Sequence, residues 1–275
     1  MKILQKLLLG LVAVVISSIS IQAHEFWMEP EKASLEVGDT LKIKLKVGQH
    51  LKGNQQPYIA SWFEEFQILD AEGVRPVKGM QGDMPAFAMK VRTPGLQIVN
   101  YISSKDNMRY RSKEQFERFI KYEGLKGVLE RHKERGLPEL GFREDYVRCA
   151  KALAIGGTAD GEDRLVGMPL ELLAEENPYV TQKNSLPVRL FWQGEPISDI
   201  QIRIFQAGEG AEELTVRTDA EGRAQIPLTS FGFYLLNAVH MLEVEQKNGA
   251  VWKSYWGSLS FTYPVSYTHL RAHET

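Results

Sequence analysis

The sequence has almost no cysteine. Cys149 is the single cysteine among 275 residues, so a disulfide within the chain is impossible and no Cys-x-x-Cys motif can occur. A chain of this size buries enough apolar surface to fold without such a cross-link. We therefore predict that Cys149 is a small buried apolar residue with no role as a reactive thiol.

An excess of positive charge and a second long apolar run are missing as well. The chain carries 33 basic and 35 acidic side chains, a net charge of −2, and its basic residues form no run. Nucleic acid is therefore not an expected partner. Beyond the first 23 residues no apolar stretch approaches the roughly 20 residues of a membrane-spanning helix. We expect no membrane span in that part of the chain.

The sequence motifs of common catalytic sites are absent too. There is no Gly-x-Ser-x-Gly elbow, no phosphate-binding glycine-rich loop and no His-Glu-x-x-His. A Ser-His-Asp triad has no local signature, because its members are distant in the chain, but nothing here points to one. The sequence favours a binding protein over an enzyme.

The two ends of the chain differ from the rest. Two lysines are followed by an apolar core at 7–16 and a polar exit that ends in Ala23. This is the plan of a secretory signal peptide over residues 1–23, so we expect an exported protein that begins at His24. The alternative is an uncleaved N-terminal anchor, with His24 as the start of the exported part. Residues 265–275, VSYTHLRAHET, resemble the conceptual translation of a sequencing adapter. They are set aside in predicting fold and function.

Strand signals dominate the remaining sequence. Leu41, Ile43, Leu45 and Val47 alternate with lysines, which is the period of a half-buried strand. Comparable segments recur at 65–69, 86–91, 97–103, 186–192, 200–205, 213–217, 223–228, 232–242 and 252–261. Turn sequences such as QGEP and TDAEG separate them. The pattern predicts a mainly β fold with two antiparallel β-sandwich units of the Ig-like kind.

A small helical insert interrupts the strands at residues 112–136. Ser112 followed by Gln115 is the signature of a capping box. Apolar residues on both sides of Gly124 recur at helical spacing, so we predict two short helices that meet there. The next segment, 144–157, fits a helix or a strand, and its alternation favours a strand.

The chain is predicted to contain two domains. An N-terminal β domain with the helical insert covers residues 24–165, and a C-terminal β-sandwich covers residues 166–263. The segment GGTADGED at 156–163 is rich in glycine and aspartate, which is typical of an exposed loop or linker.

Histidine is the residue type that carries the candidate chemistry. A mature N-terminal His24 would offer its α-amine and a ring nitrogen to one ion, donors that suit nickel, cobalt, copper and zinc. His50 ends the first long strand, and His240 lies on an apolar strand face. We predict a metal site of His24, His50 and His240. The alternatives are a frayed terminus for His24 and hydrogen-bonded core histidines for the other two. His132, in a charged stretch near a helix end, is expected to be solvated.

Several short segments, in one order along the chain, match a known family: AHEFWMEP, VGQH, DYVRCAKAL, LPVRLFWQGEP, TDAEGRAQIPL and LNAVHM. Together they resemble a domain-of-unknown-function family of exported proteins described as periplasmic components of cobalt/nickel transport systems. The resemblance covers residues 24–262. It places the family's N-terminal histidine on His24, its glycine-x-histidine on Gly48–His50 and its late strand histidine on His240. The C-terminal half resembles transthyretin-like or carboxypeptidase-regulatory sandwiches.

The leading hypothesis is a periplasmic nickel- or cobalt-binding protein that supports metal uptake, with an inner-membrane metal permease as the implied partner. Copper or zinc would suit the same donors. One alternative is a non-catalytic cell-envelope module that binds glycan or protein through the aromatic strand near Tyr255. Another is a copper histidine-brace protein, because two histidines and a terminal amine also suit copper.

Overall fold

The structure is a computed structural model that describes residues 25–208, 212–247 and 249–264. The predicted signal peptide, His24 and the tail at 265–275 lie outside the described residues.

Strands make up most of the described chain. The first half contains β1 (Glu25–Pro30), β2 (Ser34–Leu35), β3 (Thr40–Gln49), β4 (Lys52–Gln56), β5 (Phe63–Asp70), β6 (Gly73–Pro76), β7 (Phe87–Lys90), β8 (Gly95–Ser103), β9 (Asp106–Arg109), α1 (Lys113–Tyr122), α2 (Val128–Glu134) and β10 (Arg143–Gly156). The second half contains β11 (Leu170–Ala174), β12 (Ser185–Trp192), β13 (Glu195–Pro196), β14 (Gln201–Gln206), β15 (Leu214–Arg217), β16 (Arg223–Pro227), β17 (Gly232–Lys247) and β18 (Ala250–Tyr263). A 3-10 turn, Ala60–Trp62, precedes β5.

One large sheet runs through the whole molecule. Its order is β15-β14-β17-β18-β10-β8-β5-β6, and β2 and β9 also pair with β10. Neighbours along this order are antiparallel except β10 and β18, which run parallel. Strands from both predicted domains therefore lie in this central sheet, and the predicted boundary near residue 165 does not separate two sheets.

Two smaller sheets cover the two faces of the central sheet. The first sheet is β1-β3-β4 with β7 beside β3, and the second is β11-β12-β13 with β16 beside β12. Adjacent residues of β10 show the division. Ala152 packs in a core with Leu41 and Ile43 of the first sheet, whereas Leu153 packs with Leu172 and Leu190 of the second. Each such buried leucine stabilises the fold by roughly 1.5–3 kcal/mol. The two sandwiches thus share one sheet.

The helical insert lies on the same face as the first small sheet. Phe116 and Phe119 of α1 pack in a core with Trp252 and Trp256 of β18. The Oγ of Ser112 accepts a hydrogen bond from the backbone N–H of Gln115 at 3.2 Å, which satisfies one free donor of the first turn. The predicted cap and the two predicted helices are confirmed.

The predicted mainly β class is confirmed, and so is the preference for a strand at 144–157, which forms β10. Cys149 is fully buried as predicted, and burial raises the pKa of its thiol to about 12. Within the described ranges, no helix is long and apolar enough to cross a membrane.

Candidate functional site

The start of β1 lies beside the hairpin that carries His50. Glu25, the first described residue, pairs with Gly48 in the antiparallel ladder of β1 and β3. Gly48 also faces Gly53 across the β3–β4 ladder. A Cβ on Gly48 would lie 2.0 Å from the carbonyl oxygen of Lys52, so this close approach requires glycine. The glycine of the Gly-x-His segment therefore lets the hairpin close.

His50 and Leu51 form the two-residue turn of this hairpin. Gln49 pairs with Lys52, and both turn residues have positive φ, 50° and 60°. Two positive φ values are the requirement of a type I′ turn, which asparagine and glycine fill best. A non-glycine residue held in this region costs of order 1–3 kcal/mol, and such residues cluster at functional sites. The turn therefore presents the His50 ring at a conformational cost.

The His50 ring is exposed but held on one side. Its Nδ1 lies 3.2 Å from Oε2 of Glu213, and 60 % of its side-chain surface is exposed. The ring also meets Phe205 edge-on, with 6.0 Å between centroids. A carboxylate on one imidazole nitrogen fixes the tautomer and leaves the other nitrogen as the free electron-pair donor. Nε2 is then the nitrogen that His50 can offer to a ligand.

Glu213 belongs to a group of polar residues that we call the polar pocket: Glu25, Tyr122, Glu123, Arg203 and Glu213. Arg203, only 3 % exposed, forms an ion pair with Glu213 and lies over the ring of Tyr122. The Tyr122 hydroxyl donates to Glu213 at 3.1 Å. The end of α1, the start of β1 and strand β14 each contribute a residue. The pocket exists only because these elements meet.

Two carboxyls of the polar pocket are buried deeply. Glu25 is 1 % exposed and Glu123 is 3 % exposed. Burial raises the pKa of Glu25 from 4.5 to about 7, and the nearby Arg203 offsets part of this effect. Burial also raises the pKa of Glu123 to about 8, again partly offset by Arg203. At neutral pH both carboxyls therefore titrate, and the pocket can take up or release protons.

Several polar atoms around the pocket have no hydrogen-bond partner among the described residues. They are both carboxyl oxygens of Glu25, Nε of Arg203 and Nδ2 of Asn237, the residue that faces Arg203 across the β14–β17 ladder. Buried polar atoms are normally satisfied, and exceptions call for a ligand, an ion or water. The unsatisfied carboxyl lies one residue from His24 in the chain.

His240 lies on the opposite face of the central sheet from His50. Tyr234, Leu236 and Ala238, which share its parity on β17, pack in the core beneath the second small sheet. The His240 ring lies 4.9 Å from that of Trp192, and burial lowers its pKa. His50 instead contacts Phe205, which packs with the opposite-parity residue Leu235. The structure does not bring these two predicted ligands together.

The expectation of a solvated His132 is wrong. The residue is 8 % exposed, its Nδ1 accepts from Nε1 of Trp252 at 3.0 Å, and its Nε2 lies 3.0 Å from the carbonyl oxygen of Pro138. Both ring nitrogens are therefore occupied within the core of the helical insert. The charged residues around His132 in the sequence concealed this buried face.

The aromatic strand near Tyr255 is mostly core. Trp252 and Trp256 are buried, and Tyr255 is partly buried with its ring 4.6 Å from that of Trp192. Nζ of Lys253 lies 4.6 Å from the Tyr255 ring centroid. These rings therefore form no open stacking platform among the described residues.

Sequence reasoning missed the polar pocket. Glu25, Tyr122, Glu123 and Arg203 are of types usually found at the surface, and no local pattern marks their burial. Within the described ranges, no three His, Cys, Asp or Glu side chains stand close enough together to hold a metal ion. His24 lies outside these ranges, so its predicted role as a ligand stays a prediction, whereas His50 and His240 lie on opposite faces of the central sheet.

A family model described as "Domain of unknown function (DUF4198)" matches residues 21–242. No curated protein matches the chain. Among solved structures, the D0-D1 domain of intimin is 11 % identical with a TM-score of 0.19, over 85 % of this chain and 96 % of that one. The adhesin InvE of Yersinia pseudotuberculosis is 11 % identical with a TM-score of 0.20, over 88 % of this chain and 59 % of the other. At these TM-scores neither likeness bears on function.

Proposed function

We propose that this chain, which belongs to the DUF4198 domain-of-unknown-function family, is a periplasmic protein that binds a divalent transition metal, nickel or cobalt, beside the polar pocket. In this proposal the signal peptide is removed after Ala23, and His24 becomes the first residue. The metal is cargo for uptake. The observation that carries the proposal is the buried Glu25 carboxyl, which accepts no hydrogen bond of normal geometry from the described residues because the nearby Tyr122 hydroxyl donates to Glu213. It lies in the group that contacts His50 through Glu213.

His24 would supply the donors that the described residues lack. Its α-amine and a ring nitrogen can close a chelate ring on one ion, and both are donors that nickel and cobalt accept. The two residues are joined by one peptide bond, so their α-carbons are about 3.8 Å apart. A donor pair on His24 therefore needs only one or two further ligands from the region around Glu25.

Among the described residues, His50 is the best-placed candidate for a metal ligand. Its hairpin turn lies next to the β1–β3 pairing that begins at Glu25. The contact between Nδ1 and Glu213 orients the ring as metal-bound histidines are oriented by carboxylates. Nε2 remains for the metal, and the strained turn is explained by the need to present it.

The charge of the polar pocket matches a divalent cation. Glu25, Glu123 and Glu213 contribute three negative charges and Arg203 contributes one positive charge, which leaves −2 when all four are ionised. Without a cation, burial favours the protonated forms of Glu25 and Glu123. A bound cation would favour their ionised forms, so metal binding and proton release are coupled.

The test compares two N-termini by calorimetric titration with nickel chloride or cobalt chloride. One protein begins at His24, and the other begins at the same residue with its α-amine acetylated, which removes the amine from the chelate ring without adding a new one. We expect acetylation to weaken binding at least about tenfold, because even the loss of a group that only supports a metal ligand typically costs 10–100-fold. Equal affinity of the two proteins would refute the terminal chelate.

Two matched histidine variants complete the test. His50→Asn is expected to lower the metal affinity about tenfold or more, while the fold keeps its stability because asparagine suits a type I′ turn. His240→Asn, on the other face of the sheet, is the control and should leave the affinity unchanged. If His50→Asn binds metal like the unsubstituted protein, His50 is not a ligand.

A further inference from the structure

A cleft lies on the same face of the central sheet as the polar pocket, on the other side of β1 from it. Successive strand residues point to opposite sides, so Phe26 lines this cleft while Glu25 belongs to the polar pocket. The cleft has a volume of about 480 Å³, within the range of small-molecule sites. We call it the side cleft. Its wall combines residues of β1, β3, β4 and β10 with the 3-10 turn before β5.

Arg148 lies in the wall of the side cleft between two aromatic rings. Its guanidinium carbon is 4.9 Å from the ring centroid of Tyr146 and 5.6 Å from that of Phe26. No carboxylate among the described residues forms an ion pair with it. The acidic residue of the cleft, Asp106, instead accepts from the hydroxyl of Tyr146 at 2.8 Å and from the backbone N–H of Asn107 at 2.7 Å.

The other cation of the side cleft is already neutralised. Nζ of Lys105 lies 3.0 Å from Oδ2 of Asp145. Among the described residues that line the cleft, Arg148 is therefore the cation without a carboxylate partner, and the Asp106 carboxylate is turned towards the Tyr146 hydroxyl and the Asn107 N–H. A guanidinium is well suited to binding a carboxylate through two parallel hydrogen bonds. The stacking rings restrict its position, so little side-chain entropy is lost when a carboxylate binds.

Trp62 provides an apolar surface at the rim of the side cleft. It is 47 % exposed, the only tryptophan among the described residues with a large exposed surface. Its backbone is held rigidly: its carbonyl oxygen accepts from the hydroxyl of Tyr101 at 3.0 Å and from the backbone N–H of Ser104 at 2.9 Å. An exposed indole on a fixed backbone is a ready stacking surface for a ring.

We propose that the side cleft binds a small ring compound that carries a carboxylate, with the carboxylate on Arg148 and the ring against Trp62. An acidic sugar and an aromatic acid share this chemistry. The Ser61 hydroxyl at the rim can accept or donate a hydrogen bond, and the Ser104 hydroxyl, which donates to the Ser61 carbonyl oxygen at 3.1 Å, can still accept one. Both would favour the sugar. The site needs no metal and is independent of the proposed metal binding.

The test is saturation-transfer NMR on the full mature protein in the presence of EDTA, which removes metal binding as an influence. The probes are glucuronate and benzoate, each with a neutral counterpart, methyl glucoside and benzamide. We expect at least one carboxylate to bind with a Kd of about 1 mM, since ligands of this size bind weakly. Its neutral counterpart should bind at least about tenfold more weakly. Binding of glucuronate indicates an acidic sugar as the ligand, and binding of benzoate indicates an aromatic acid.

Three variants decide whether the binding occurs in the side cleft. Arg148→Gln should abolish the preference for the carboxylate, and Trp62→Ala, an exposed position that the fold tolerates, should weaken both members of the bound pair. Arg189→Gln is the matched control, because Arg189 also lies over an aromatic ring, that of Phe191 at 5.5 Å, but outside the cleft. The proposal is overturned if no carboxylate binds saturably, or if Arg148→Gln and Trp62→Ala bind it like the unsubstituted protein.

Discussion

Glu144 should make the stability of the fold depend on pH. The residue is fully buried, and Tyr110 donates its hydroxyl to one carboxyl oxygen at 2.5 Å. Ser254 donates to the other oxygen and accepts from the indole N–H of Trp256 at 2.9 Å. Burial raises the pKa of Glu144 from 4.5 to about 7, and the two hydroxyl donors offset only part of this effect.

The sign and size of the effect follow from proton linkage. Between pH 4.5 and pH 7 the native state keeps the Glu144 proton, whereas the unfolded chain releases it. The unfolded state then binds fewer protons, so the free energy of unfolding falls as the pH rises. The stabilisation from this group is complete below pH 4.5 and lost by about pH 7. The gap between the two pKa values corresponds to about 3 kcal/mol.

Glu144→Gln tests this reasoning, because glutamine has the same shape and does not titrate. Urea unfolding is measured for both proteins from about pH 4.5 to pH 8, and the stability of the variant relative to the unsubstituted protein should rise by about 3 kcal/mol over this range. Other buried carboxyls, such as Glu25, are common to both proteins and cancel in the difference. Glu123 also cancels except for the minor part of its raised pKa that the Glu144 charge causes. The exposed Glu134→Gln should show no such rise. A variant whose stability runs parallel to that of the unsubstituted protein at every pH would refute the reasoning.

Two further predictions concern stability and are checked by urea unfolding at neutral pH. Lys151 is fully buried with Glu171 at 2.7 Å and Asp163 at 3.2 Å, so Lys151→Met should cost about 3–5 kcal/mol by leaving two buried carboxyls without their cation. A loss below about 1 kcal/mol would show that these acids do not depend on the lysine. Ser112→Ala should cost about 1 kcal/mol, because the backbone N–H of Gln115 loses its acceptor. An unchanged urea midpoint would contradict this role of the cap.

Local sequence patterns predicted the elements that have one buried face. β3 alternates between buried apolar residues and lysines, and α1 repeats its apolar residues at helical spacing, so both could be predicted. β1 was not predicted as a strand. Its first four residues, Glu25 to Met28, are all buried, so the segment EFWM has no alternation for a pattern to detect.

The candidate site was only partly predictable for a related reason. His50 stood out because it follows the end of a clearly patterned strand, and Gly48 because the family resemblance places a glycine-x-histidine there. Glu123 and Arg203 did not stand out, because a charged residue is normally exposed and their burial depends on the packing of distant elements. For the same reason the burial of His132 was not predicted, because it depends on Trp252, 120 residues away in the chain.

The sequence by itself determined the mainly β character and the helical insert, because each depends on neighbours within a few residues. Only the tertiary structure decided that both predicted sandwiches share one sheet, since the parallel pairing of β10 with β18 joins segments about 100 residues apart. That sheet also decided the geometry of the histidines. Side chains alternate between its faces, so His240 points away from His50, and a buried acidic group unknown from the sequence lies beside His50 instead.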